Sequence, residues 1–156
     1  RGKDVLDVAE TFTHEDLQAC AKKQGAEIQK NDILIIRTGW IAKFYKVSRE
    51  EFYGNFVEPG LTYSPELVQW FHDMEIPNLV TDTIANEVTT DPNNGVALVL
   101  HNALMRNLGI TLTEIADLEQ LAADCADDGT YAFLYVAAPL KVAKGSGSPV
   151  NPVVIK

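Results

Sequence analysis

The chain has 156 residues, of which 46% are hydrophobic, and this is enough for one domain with a hydrophobic core. Its 22 acidic and 13 basic residues give a formal net charge of −9, which disfavours nucleic acid and anionic membranes as partners. No apolar run in the sequence reaches the roughly 18 residues that indicate a membrane-spanning helix. The composition therefore predicts one globular domain over residues 1–156, with no nucleic acid and no membrane as a partner.

Local patterns in the first half of the chain predict strands and helices in alternation. Helix starts are marked by N-cap residues that precede acidic side chains or a proline, at Thr13, Ser48 and Ser64. Apolar and β-branched runs predict strands over residues 5–8, 32–38 and 77–82. We expect the strand over residues 32–38 to be central in the sheet.

The second half continues this alternation. Small and turn-forming residues predict loops over residues 89–95 and 145–149. Between these two loops we expect a helix that carries His101 and ends at Gly109, a helix over residues 118–125 and a buried strand over residues 131–137. After the second loop we expect a closing strand over residues 153–155. Strands that alternate with helices predict an α/β fold, with a mixed sheet and flanking helices.

His101 and Glu114 are the residues with the most chemistry to offer. His101 shares a helical stripe with Leu104 and Leu108, and Glu114 shares one face of an extended run with Leu112. A buried imidazole and a buried carboxylate each need a partner. The pattern leaves three interpretations open, which are a pair of metal ligands, a hydrogen-bonded His–Glu pair, and unrelated burial. A catalytic zinc takes about three protein ligands, and the sequence places no third histidine nearby.

The remaining polar candidates are weaker. We expect His14 to face solvent and His72 to lie on the surface or at an interface. We expect Asp82 either to contact a ligand at a strand end or to cap the loop that follows. The glycine–serine run over residues 144–148 matches neither nucleotide-binding motif, which disfavours a nucleotide-binding domain. Cys20 and Cys125 fit no metal or redox spacing, and we expect a reducing compartment, the cytoplasm.

Four features occur in one order along the chain. Residues 31–40 read N-D-I-L-I-I-R-T-G-W, residues 80–83 read V-T-D-T, His101 and Glu114 follow, and residues 138–152 carry A-P-L and G-S-G-S-P-V-N-P. This ordered set resembles the cyclase family of metal-dependent hydrolases, which includes kynurenine formamidases and isatin hydrolases.

The resemblance implies a swivelling β/β/α-like fold and a divalent metal, Zn or Mn, with His101 and Glu114 as ligands. It also implies hydrolysis of a cyclic or aryl amide or ester, a small-molecule substrate, and a homo-oligomer. The residues expected to contact substrate are Thr38, Trp40, Asp82, Ser146 and Gly147.

One motif of the family is absent from the sequence. The family's N-terminal metal motif, H-x-G-T-H-x-D-x-P-x-H, does not occur in the chain. We therefore expect the chain to be the C-terminal portion of a longer hydrolase, with the missing N-terminal half as its partner and with no activity alone. The alternative is a non-catalytic binding domain of the same fold.

Overall fold

A computed structural model describes residues 2–54 and 56–156 of the chain. In this part of the chain the helices are α1 (His14–Lys23), α2 (Trp40–Phe44), α3 (Arg49–Gly54), α4 (Pro65–Asp73), a π-helix (His101–Asn107) and α5 (Glu119–Asp128). The strands are β1 (Thr11–Phe12), β2 (Leu34–Ile36), β3 (Gly60–Leu61), β4 (Asn78–Thr81), β5 (Thr111–Thr113), β6 (Leu134–Val136) and β7 (Val153–Ile155). None of these helices is both long and apolar enough to cross a bilayer.

The strands form three small sheets within the described residues. Strands β2, β4 and β5 make a parallel sheet in that order, in which Leu79 pairs with both Leu34 and Leu112. Strands β1 and β3 pair in parallel, and β6 and β7 form an antiparallel pair. The predicted mixed α/β fold is confirmed, but the central strand of the three is β4, so the prediction of a central strand over residues 32–38 is wrong.

The core lies between α4, the π-helix and the parallel sheet. Ser64 begins α4, because its Oγ accepts a hydrogen bond from the Leu67 backbone N–H at 3.0 Å, and a proline follows at the first helical position. This start directs Leu67 and Phe71 inward, and both are fully buried. They join one buried apolar cluster, whose other members include Leu34, Leu61, Leu79, Leu100, Leu104 and Ile110. Strands β2, β4 and β5 pack against this cluster, and the polar residues described below lie near the ends of these strands.

Two predicted strands differ from the structure. Residues 5–8 form bends and turns, and the first strand begins at Thr11, because Ala9 takes a left-handed conformation with φ of 58°. The strand predicted to be buried over residues 131–137 is shorter and half exposed. Only Tyr135 packs towards the sheet, while Leu134 on the opposite face is 58% exposed.

Candidate metal centre

His101 and Glu114 lie next to each other. His101 is the first residue of the π-helix and Glu114 follows β5, and His101 Nε2 lies 3.4 Å from Glu114 Oε1. Asn86 Nδ2 donates a hydrogen bond to the same Glu114 oxygen at 3.4 Å. The two side chains of the His101–Glu114 pair are 22% and 32% exposed, so the pair is open to a ligand from solvent. The sequence predicts a helix here, and the structure gives its His101 segment the wider π-type turn that is frequent at functional sites.

A third acidic residue, Glu87, contacts the other side of the imidazole. Its side chain is only 4% exposed, and its Oε1 lies 2.7 Å from His101 Nδ1. Glu87 also accepts the backbone N–H groups of Leu100 and His101, at 2.7 and 2.9 Å. Sequence pattern does not mark Glu87, because the segment around it has no helical or strand period. A lone glutamate beside Val88 was the only available signal.

The donor chemistry of the pair fits a divalent metal. Imidazole nitrogen and carboxylate oxygen are ordinary ligands of zinc and manganese, and two such ligands at about 2.1 Å from a tetrahedral ion lie roughly 3.4 Å apart. Burial raises the pKa of Glu114, against the opposing effects of His101 and Asn86, so the carboxylate lacks full compensation for its desolvation. A bound cation would provide that compensation.

The described residues supply no more than two ligands. Among residues 2–54 and 56–156, no three side chains of the types His, Cys, Asp and Glu are grouped to hold a metal ion. A catalytic zinc takes about three protein ligands and a water molecule. A complete centre of that kind therefore requires at least one protein ligand in addition to His101 and Glu114.

Asp82 connects the ends of two strands. Its Oδ1 accepts hydrogen bonds from the backbone N–H and the hydroxyl of Thr38, both at 2.8 Å, and its Oδ2 accepts one from the Gly39 N–H at 2.7 Å. Gly39 is required here, because its φ is +83° and an added Cβ would lie 2.3 Å from the Asp4 carbonyl oxygen. Asp82 and Thr38 are buried, at 2% and 3% exposure, and they use these atoms within the protein.

Trp40 lies in an aromatic cluster beneath the turn that Asp82 holds. Its ring centroid is 5.3 Å from that of Phe52 and 6.3 Å from that of Phe56, and Lys43 Nζ lies 4.7 Å from the indole ring. Trp40 is 2% exposed. The structure therefore brings Thr38, Trp40 and Asp82 together as a buried group, and their contact with substrate stays a prediction.

Ser146 and Gly147 lie in an exposed loop near the end of the chain. The neighbouring Ser148 shapes this loop, because its Oγ accepts a hydrogen bond from the Leu140 backbone N–H at 3.0 Å. The predicted role of this loop in substrate binding also stays a prediction.

Glu58 is a second buried acid that the sequence analysis did not single out. It is 2% exposed, and its Oε2 accepts the Ile84 backbone N–H at 2.8 Å. Burial, together with the nearby carboxylates of Asp82 and Glu114, raises the pKa of Glu58 to about 7. Glu58 therefore lies close enough to Asp82 and Glu114 for both carboxylates to oppose its ionisation.

The other two histidines lie outside this region. His72 has an exposed side chain, at 63%, as predicted. The prediction that His14 faces solvent is wrong, because its ring packs 5.7 Å from that of Trp70 and its side chain is only 13% exposed.

Comparison with protein families gives one match. Residues 4–88 match the model of the cyclase family, whose description reads "Putative cyclase". This match covers the Thr38–Asp82 region and Glu87, and it ends before His101. No curated protein matches the chain.

Several solved structures are similar to the chain. One, described as a novel cyclase, is 35% identical and has a TM-score of 0.86, with 97% of this chain and 49% of that chain covered. Isatin hydrolase A from Ralstonia solanacearum is 22% identical with a TM-score of 0.67, over 95% of this chain and 54% of its own. A structure described as a "potential metal-dependent hydrolase with cyclase activity" is 17% identical with a TM-score of 0.56, over 94% of this chain and 59% of its own.

The chain thus spans about half the length of the solved structures that it matches. The two similarities below 25% identity show a shared fold. The family match over residues 4–88, which is more than half of the chain, and the 35% identity over 97% of it show shared descent. The chain therefore belongs to the cyclase family.

Proposed function

We propose that the protein is a metal-dependent hydrolase of a cyclic or aryl amide or ester, with His101 and Glu114 as two ligands of a divalent metal, Zn or Mn. The observation that carries this proposal is the separation of 3.4 Å between His101 Nε2 and Glu114 Oε1 at a partly exposed position. The similarity in fold to an isatin hydrolase supports a cyclic amide as substrate.

The residues of the pair have distinct tasks in this proposal. When bound, the metal supplies a water of lowered pKa and polarises the carbonyl of the scissile bond. His101 offers Nε2 as a neutral ligand, and Glu114 offers a carboxylate oxygen whose negative charge would help to hold the ion. Asn86 orients Glu114 through its Nδ2 contact with Oε1.

The rest of the metal site is proposed to come from a part of the protein outside this chain. The support for this step is that two ligands lie in the described residues, while the similar solved structures are about twice as long as the chain. Under this proposal the isolated chain has no hydrolase activity. A homo-oligomer and a cytoplasmic location remain expectations.

A hydrolysis assay on the intact protein tests the proposal. We expect it to open the ring of isatin or to hydrolyse an aryl formamide when loaded with Zn²⁺ or Mn²⁺, and to lose this activity on treatment with a chelator. His101→Gln should reduce kcat/KM by at least about 100-fold, because a ligand of the ion is lost. His72→Gln, which changes an exposed histidine, is the matched control and should retain activity. Full activity of His101→Gln, or of the metal-free protein, would contradict the proposal.

A second candidate function is a binding domain without catalysis. The observation in its favour is that only two potential ligands are grouped in the described residues. In that case the intact protein would bind no metal and hydrolyse neither substrate, and the two candidates are separated by the metal content of the purified protein.

A further inference from the structure

Glu87 is a buried carboxylate whose described contacts converge on one place. Its two oxygens accept the Leu100 and His101 backbone N–H groups, and Oε1 lies 2.7 Å from His101 Nδ1. No hydrogen bond or ion pair of the described structure places a lysine or arginine on this side chain. A buried carboxylate that lacks a cationic partner is costly unless hydrogen-bond donors satisfy it. These three contacts satisfy both oxygens of the Glu87 carboxylate.

The backbone of Glu87 is fixed by β3. The Leu61 N–H donates to the Asn86 carbonyl at 3.3 Å, and the Val88 N–H donates to the Leu61 carbonyl at 3.0 Å. At Gly60, an added Cβ would lie 2.2 Å from the Glu87 carbonyl carbon, so β3 approaches the Glu87 segment more closely than any other residue type would allow. The carboxylate therefore reaches His101 from a rigid support.

The contact at Nδ1 determines which nitrogen of His101 remains free. An ionised carboxylate only accepts hydrogen bonds, so Nδ1 carries the proton and Nε2 keeps its lone pair. Nε2 is the atom that lies beside Glu114. A carboxylate on the far nitrogen of a metal-binding histidine also holds the orientation of its ring.

We propose that Glu87 is the positioning residue of His101, which holds its imidazole in the Nδ1–H form with Nε2 directed at the metal position beside Glu114. The consequence for metal binding rests on the proposed function, whereas the consequence for the tautomer does not. The adjacent Asn86 acts on Glu114, so one short segment orients both members of the pair.

The tautomer is tested by imidazole ¹H–¹⁵N correlation spectra of the metal-free intact protein at about pH 8, where an ordinary histidine is neutral. The His101 signal is assigned by its loss in His101→Gln. We expect the wild-type protein to show a protonated Nδ1. In Glu87→Gln the amide can donate to Nδ1, so we expect the proton to move to Nε2. A wild-type spectrum with the proton on Nε2 would overturn the proposal, even if the variant does not fold.

Zinc affinity, measured by competition with a chromophoric chelator, is the second readout. Glu87→Gln should weaken zinc binding by about 10–100-fold, the usual effect of removing a partner of a metal-binding histidine. Glu58→Gln is the matched control, because Glu58 is also a buried acid that accepts a backbone N–H, and no hydrogen bond joins it to His101 in the described structure. The Glu58→Gln variant should leave the tautomer of His101 unchanged. A variant Glu87→Gln that keeps the wild-type tautomer and zinc affinity would overturn the proposal. A tautomer change in a protein that binds neither zinc nor manganese would support the positioning role and overturn the proposed hydrolase.

Discussion

At the scale of single residues, the acids of this chain differ in what compensates their burial. Glu87 receives three hydrogen-bond contacts, whereas Glu58 accepts one backbone N–H, interacts with the Trp40 side chain and lies near two other carboxylates. This difference in hydrogen bonding follows from position. Glu87 accepts the otherwise unpaired backbone N–H groups at the start of a helical segment, whereas Glu58 accepts a single backbone N–H in a loop. The ionised form of Glu58 is therefore unfavourable in the folded protein.

Glu58 makes the stability of the protein depend on pH. Its folded pKa of about 7 lies above the ordinary value of 4.5, so the folded state holds this proton more tightly than the unfolded chain. The contribution of Glu58 to the free energy of unfolding is fully present below pH 4.5 and is lost as the pH rises through 7. Its total is about 3 kcal/mol, at 1.36 kcal/mol for each unit by which the pKa is raised. Glu58→Gln cannot ionise, and its amide oxygen can still accept the Ile84 N–H.

We expect Glu58→Gln to match the wild-type free energy of unfolding near pH 4.5 and to exceed it by about 2–3 kcal/mol at pH 8. Urea unfolding of both proteins across this range measures the difference. A difference that stays constant with pH would show that the Glu58 carboxyl titrates normally.

At the scale of elements, Asp82 connects the carboxyl ends of β4 and β2. Its three accepted hydrogen bonds hold the turn that leads from β2 into α2, and this turn positions Trp40 in its aromatic cluster. In Asp82→Asn one oxygen becomes an NH₂ group and faces a backbone donor. We expect a loss of about 2–4 kcal/mol in the free energy of unfolding, from lost charged hydrogen bonds and an unsatisfied buried donor. Asp127→Asn, at an exposed position of α5, is the control. A loss below about 1 kcal/mol for Asp82→Asn would contradict this structural role.

The elements also show what sequence patterns can and cannot predict. The capped helices were predicted well, because their signals are local, as at Ser48, whose Oγ accepts the Glu51 N–H at 3.1 Å. The order of the strands was not predicted correctly, because the β-branched sequence of a strand such as β2 is compatible with both an edge and a central position in a sheet. Periodicity placed His101 and Glu114 each on an apolar face and left three interpretations open, whereas Glu87 and Glu58 lie in irregular segments. Their burial depends on contacts with distant residues that no local period encodes.

At the scale of the whole molecule, the described fold presents the two proposed metal ligands, His101 and Glu114, and half-exposed apolar residues on β6 and β7. Leu134 pairs with Ile155 and Val136 with Val153, and all four side chains are about half exposed. The chain spans about half of the similar solved structures, so both features agree with the proposal that further parts of the protein complete the site. The prediction of one domain over residues 1–156 stays a prediction.

The most direct test of this account is an equilibrium zinc titration of the intact protein. It compares the wild type with His101→Gln and Glu114→Gln by chelator competition and by metal content after dialysis. We predict one metal ion per chain in the wild type and a weakening of affinity in each variant that exceeds the roughly 10–100-fold typical of an outer-shell partner. Wild-type protein that binds no metal, or variants that bind it with unchanged affinity, would contradict the assignment of His101 and Glu114 as metal ligands.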